Sequence, residues 1–275
     1  MLSSESALAP ELPVAVASEL NQYAAALRTD QDGVPVLLRS ICKQLDIRVR
    51  RHSEVPNGKA YLAWDRQTES APTILLPLNG NARWDRFCAA HELGHYFLVS
   101  RYDWIPEGSK AYWQTELLCD HFARKLLLPD DQLPAWLGEP REAADYLTKC
   151  DKIAATTITP WREVATAIAE VLPVVFFGIE PSERPGGFRV MSSSLPKRIG
   201  YRAEFAADSE LVQLLNRSVE RAAANQTRDD IKLNVRLFAD TKLDRPLKKM
   251  GVAELTARIW PQGTRIKIAT IPQSF

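Results

Sequence analysis

The chain has 275 residues, 45% hydrophobic and 25% charged, with a formal net charge of +1. Its length and apolar share suit one large or two modest packed domains. The near-neutral balance argues against a protein that grips nucleic acid through bulk charge, and no run of about 18 apolar residues exists to span a membrane.

Residues 1–15, rich in Ser, Ala and Pro, read as loose, and Met1 to Pro13 has neither the basic nor the apolar region of a secretory signal. Helices are predicted over Val14 to Leu27 and Val34 to Leu45. Leu45 to Arg51, Lys59 to Trp64 and Pro72 to Leu78 read as strands of a small sheet, with a turn at Pro56-Asn57-Gly58. Pro72 and Pro77 cannot donate to a ladder, so the third run is expected at a sheet edge, where it could pair with an extended substrate.

A proline-free helix follows from Arg83 to Ser100, carrying Ala90-His91-Glu92-Leu93-Gly94-His95. Residues four apart share a helix face, so His91 and His95 can hold one metal ion together. Glu92, one step around, is placed to act as general base toward the attacking water. Both histidines fall in the apolar stripe of Trp84, Phe87, Cys88 and Leu98. Glu92 is the only formal charge between Arg86 and Arg101, and a lone carboxylate in such a helix is costly to desolvate without a compensating cation. Gly94 weakens the helix by about 1 kcal/mol against alanine, which suggests close approach by another element.

A second helix, about Ala111 to Leu128, carries Glu116-Leu117-Leu118-Cys119-Asp120. Glu116 and Asp120 share a face with Ala123 and Leu127. Two acids so close need separate partners. Glu116 is assigned to the metal, and Asp120 to the free ring nitrogen of a ligand histidine, whose tautomer it would set. His121 points about 100° away from Asp120 and is a weaker ligand.

These two helices, with the Leu127-Leu128-Pro129 end, Phe122-Ala123, and the lead-in Thr73 to Asn79 followed by Arg86-Phe87, resemble the ImmA/IrrE family of metallopeptidases over about residues 40 to 130. The resemblance implies a zincin-like domain with one Zn2+ per chain, similar to the two-helix site of thermolysin. It makes His91, His95 and Glu116 zinc ligands and Glu92 the catalytic base, and gives Asp120 the histidine-supporting role, where family members commonly carry asparagine. It also implies a site-specific regulatory endopeptidase. The expected substrate is an XRE-type helix-turn-helix repressor, cut to release stress-response or mobile-element genes. Tyr96, Tyr102, Tyr112 and His121 are candidate donors to the oxyanion, and spacing alone does not choose among them. Two alternatives stand beside this: a metal-binding regulator that cuts no bond, and an adaptor that grips a repressor.

Beyond Pro129, helices over Arg141 to Ala155 and Pro160 to Leu172 form a hairpin whose second member offers Arg162 as its only cation. It reads as a packing unit and not as a DNA reader, so DNA binding is not expected. Strand-like runs at Val174 to Ile179, Phe188 to Met191, Ile231 to Phe238 and Arg265 to Ile271, with a helix over Ser209 to Ala224, indicate a closing α+β module. It is expected to be a sensor, of the GAF type as in some relatives in the family, a substrate-recognition surface, or a dimerisation surface. The expected fold class is thus α+β, with a metallopeptidase domain over 1–140, a helical hairpin over 141–172 and the last module over 173–275. Cys42, Cys88, Cys119 and Cys150 lie far apart without a Cys-x-x-Cys pair, and Cys88 and Cys119 fall on apolar faces. Reduced thiols of this kind, with no membrane segment, point to the cytoplasm.

Overall fold

The computed structural model describes residues 15–29, 34–67, 70–106, 108–140, 142–183, 187–194, 203–239, 241–260 and 266–271; the loose segment read over 1–15 lies outside these, Ala15 apart. The protein is α+β. It divides into two compact units, Met1–Pro129 with Ala155–Pro160, and Asp130–Ala154 with Trp161–Phe275. Most of the helical hairpin read over 141–172 lies in the second unit. No helix among the described residues is long and apolar enough to cross a membrane.

The first unit runs α1 (Ala15–Thr29), α2 (Leu38–Gln44), β1 (Arg48–His52), β2 (Tyr61–Ala63), β3 (Thr73–Pro77), α3 (Ala82–Tyr102) and α4 (Gly108–Leu127). The three strands form one sheet in the order β1-β3-β2, with β1 parallel and β2 antiparallel to β3. The strand expected at the edge is thus central, and β2 takes an edge. The prolines permit this because they sit at the ends of β3. Pro72 precedes the strand and lends its carbonyl to the Arg48 N–H at 2.9 Å, while Pro77 is the last residue paired, opposite His52. Neither removes a donor from the middle of the ladder.

The turn from β3 into α3 is locked by charge and by the lack of a side chain. Asn81 caps the helix, its side-chain oxygen accepting from the N–H groups of Arg83 and Trp84. Asp85 folds back over Gly80 so closely that a Cβ there would lie 2.0 Å from its Oδ1. The Arg51 guanidinium ties this carboxylate at 2.7 Å to the Pro77 carbonyl at 2.5 Å, joining β1, β3 and α3. On the far side, Tyr23 of α1 stacks on Phe97 of α3 and Phe122 of α4, with ring centroids 4.5 and 6.0 Å apart. The start of α3 is thus tied to the sheet, and its later turns pack with α4 against α1.

The second unit contains α5 (Leu133–Leu137), α6 (Ala143–Thr156, to Ala154), α7 (Trp161–Val171), β4 (Val175–Pro181), β5 (Phe188–Ser193), β6 (Glu204–Phe205), α8 (Glu210–Asn225), β7 (Asp229–Asn234), α9 (Asp244–Lys249), β8 (Glu254–Ile259) and β9 (Ile266–Thr270). Its sheet is antiparallel in the order β6-β5-β4-β9-β8-β7. Phe177, Val190, Phe205, Leu215, Leu233, Phe238 and Ile268 build the core beside it. The strand expected over Ile231 to Phe238 stops at Asn234, whose side chain caps a 3-10 turn over Val235–Phe238 by accepting from the Arg236 N–H.

The helical pair is built into this unit by two cations. Arg258 of β8 is 1% exposed; it bonds both oxygens of Asp230 at 2.8 and 2.7 Å, and Thr148 and the Ala144 carbonyl of α6 at 3.0 and 3.1 Å. Lys267 of β9 meets Asp151 at 2.5 Å and lies 4.3 and 5.0 Å from the ring centroids of Trp260 and Trp161. Arg162, the one cation of α7, is held by Glu163 at 2.5 Å. Arg258→Ala is expected to cost about 3 kcal/mol in urea unfolding, at the low end for a broken buried pair because Asp230 keeps some solvent. A change below about 1 kcal/mol would mean that these bonds do not fasten α6 to the sheet.

Candidate metal centre

The functional side chains come from α3 and α4, and Gly94 explains how close the two helices lie. A Cβ on Gly94 would stand 3.1 Å from the Cys119 Cα and 3.2 Å from its Sγ. The glycine lets the backbone of α4 rest against α3 between the two histidine turns, as its helix-weakening cost suggested. On α3 the His91 Nε2 lies 3.1 Å from the His95 Nε2. Glu116 completes a triangle, with Oε2 3.5 Å from His91 Nε2 and Oε1 3.3 Å from His95 Nε2. A tetrahedral zinc with bonds of about 2.0–2.1 Å holds N and O ligands about 3.3–3.4 Å apart. The two imidazole nitrogens and the Glu116 carboxylate therefore lie at separations close to those that such an ion imposes, with Oε2 facing His91 and Oε1 facing His95.

Asp120 takes the other nitrogen of His91, whose Nδ1–H donates to Oδ1 at 2.9 Å. That bond turns the Nε2 lone pair toward Glu116 and His95. The pairing expected in sequence is present, and the histidine concerned is His91.

Electrostatics follow from this crowding. Burial alone pushes the His91 imidazolium down, but its hydrogen bonds to Asp120 and Glu116 outweigh that and raise it from 6.5 to about 10. The same hydrogen bonds from His91 and His95 hold Glu116 far below the usual carboxylate range. Without metal, a proton on His91 fills the place of a cation. A histidine raised in this way stabilises the fold fully below about pH 6.5 and loses that contribution as pH climbs toward 10. Glu116 acts oppositely: its contribution is full above pH 4.5 and falls away in acid. Metal-free protein is thus expected to melt at progressively lower temperature between pH 7 and 8.5, a trend that His91→Gln should flatten. An unchanged slope in that variant would place the titrating group elsewhere.

Glu92 is 7% exposed and does not face solvent. Burial raises its pKa, opposed by His95, His91 and the backbone N–H of Leu62 on β2, and supported by Glu116. In the metal-free protein burial therefore disfavours the charged form of Glu92. The Leu62 contact and the edge position of β2 were not read from sequence, because the apolar run alone does not say which strand is central.

The four oxyanion candidates separate. Tyr102 donates its hydroxyl to Glu19. Tyr96 stacks on Trp64 at 5.2 Å, and His121 Nε2 pairs with the Asn21 Oδ1 of α1 at 2.8 Å. Tyr112 stands one turn before Glu116 on α4, and its hydroxyl pKa is raised by burial, then by Glu116, Glu92 and Tyr61. Both site carboxylates act on the Tyr112 hydroxyl.

Cys119 was missed as a site residue. It is fully buried, and its sulfur and the ring nitrogens of His91 and His95 lie within 4.8 Å of one another, so the three could hold a metal ion. Burial, then Glu92, Glu116 and Asp120, keep its thiol pKa well above the ordinary value. The signal was its place three residues after Glu116, next to the ligand face.

No family model matches the sequence, and no curated protein matches it. The chain is similar to the solved structure of a Mycobacterium tuberculosis transcriptional regulator, at 12% identity and a TM-score of 0.51, over 92% of this chain and 76% of that one. At that identity the likeness speaks for the fold alone.

Proposed function

We propose that this chain is a zinc-dependent endopeptidase of the zincin type that cuts a helix-turn-helix repressor. The supporting observation is the triangle of His91 Nε2, His95 Nε2 and Glu116 at 3.1, 3.3 and 3.5 Å, backed by Asp120 on His91. Zinc bound there would supply Lewis acidity and a nucleophilic water at neutral pH. His91, His95 and Glu116 would hold it, and the Asp120 carboxylate would keep His91 in the tautomer that offers Nε2. Glu92 takes the proton of the attacking water and passes it to the leaving nitrogen. Tyr112 donates its hydroxyl to the oxygen that gains charge. The edge of β2, with Tyr61 exposed on it, offers backbone groups to an extended peptide. The repressor and the stress-response setting come from the family resemblance, and the second unit is read as a sensor of the GAF type or a recognition surface. The protein belongs in the cytoplasm on this reading.

The rival is a regulator that binds metal and a repressor without cutting. The printed name of the structural neighbour, a transcriptional regulator, favours it to that extent. Incubating the zinc-loaded protein with a candidate helix-turn-helix repressor separates the two. Cleavage at one bond, lost with chelator and restored by zinc, is the expected result. Stable binding with no product over the same period would establish the adaptor instead.

A further inference from the structure

Two ligand sets overlap at this centre and share both imidazoles. One is His91, His95 and Glu116; the other is His91, His95 and Cys119, with its donor atoms within 4.8 Å of one another. Glu116 and Cys119 stand three apart on α4, so both approach the histidines from one helix face. The Cys119 thiol is laid against the backbone of α3 at the one residue, Gly94, that leaves room for it.

We propose that Cys119 is a fourth, displaceable ligand, so that the centre alternates between a closed form held by His91, His95, Glu116 and Cys119 and an open form held by the first three. This rests on the metallopeptidase reading and adds regulation to it. In the closed form two anionic ligands balance a divalent ion and leave no position for water, so the site is latent. Opening is a ligand exchange: an incoming oxygen ligand replaces the sulfur, and Cys119 regains from solvent the proton that it gave up on coordination. No oxidant or reductant takes part.

Cobalt(II) loaded into the full-length chain is the test, since a thiolate bound to cobalt gives a near-ultraviolet charge-transfer band that nitrogen and oxygen ligands do not. Wild type is expected to show the band. Cys119→Ala should bind the same stoichiometry of cobalt and lose the band, as should Cys119→Ser if the alanine variant folds poorly. Adding a small hydroxamate to the wild type should abolish the band as the visible ligand-field bands shift. Stoichiometric cobalt without a sulfur band in the wild type would overturn the Cys119 assignment and leave the peptidase reading standing. A band that survives hydroxamate binding would overturn displacement. Failure of any form to bind cobalt would remove the metal centre, and both readings with it.

Discussion

Glu92→Gln is expected to bind zinc at the wild-type stoichiometry and to cleave the repressor about 10²–10⁴-fold more slowly, the range carried by a positioned general base. Glutamine keeps the size and shape of a side chain that is 7% exposed, and its carbonyl still accepts from the Leu62 N–H. It removes a charge that burial disfavours, so the metal-free variant should be no less stable than the parent. Lost cleavage then reports the missing proton acceptor and not a damaged fold. Product mapping by mass spectrometry, alongside bound metal, reads both quantities in one preparation. Cleavage at the parental rate would take Glu92 out of the mechanism.

His91→Ala should lose metal altogether. It deletes one corner of the ligand triangle and leaves Asp120 without the imidazole that it bonds at 2.9 Å. Asp120→Ala is expected to be milder, weakening zinc binding about 10–100-fold, as loss of a supporting partner does. Competition with a metal indicator orders the two variants. Full occupancy in His91→Ala, or an Asp120 effect as large as that of His91, would mean that the ligand set is misassigned.

The pair of helices was legible because a period of 3.6 residues dictates what shares a face. His91 with His95, and Glu116 with Asp120, needed only that rule and the cost of burying unpaired charge. Which helix approached Gly94 was not legible, since a glycine announces a gap without naming what fills it. The order of the small sheet failed for a related reason. Proline forbids a donor, but only coordinates reveal that Pro72 and Pro77 bracket the ladder and do not interrupt it. In the second unit, β8 was overlooked because Arg258 breaks its apolar pattern, although that arginine is among the most deeply buried side chains. A cation paired on every side reads in sequence like a surface residue.

β2 holds only three residues, Tyr61–Ala63, while its Leu62 N–H steadies the Glu92 carboxylate. Three residues of strand reach about 10 Å, room for one or two main-chain bonds to an extended polypeptide, since alternate residues face the free edge. Main-chain bonds are blind to side-chain identity. The ladder would therefore set a carbonyl in register with the base without choosing where along an extended segment the blade falls. Which protein is admitted to the blade becomes the task of surface lying outside the cleft.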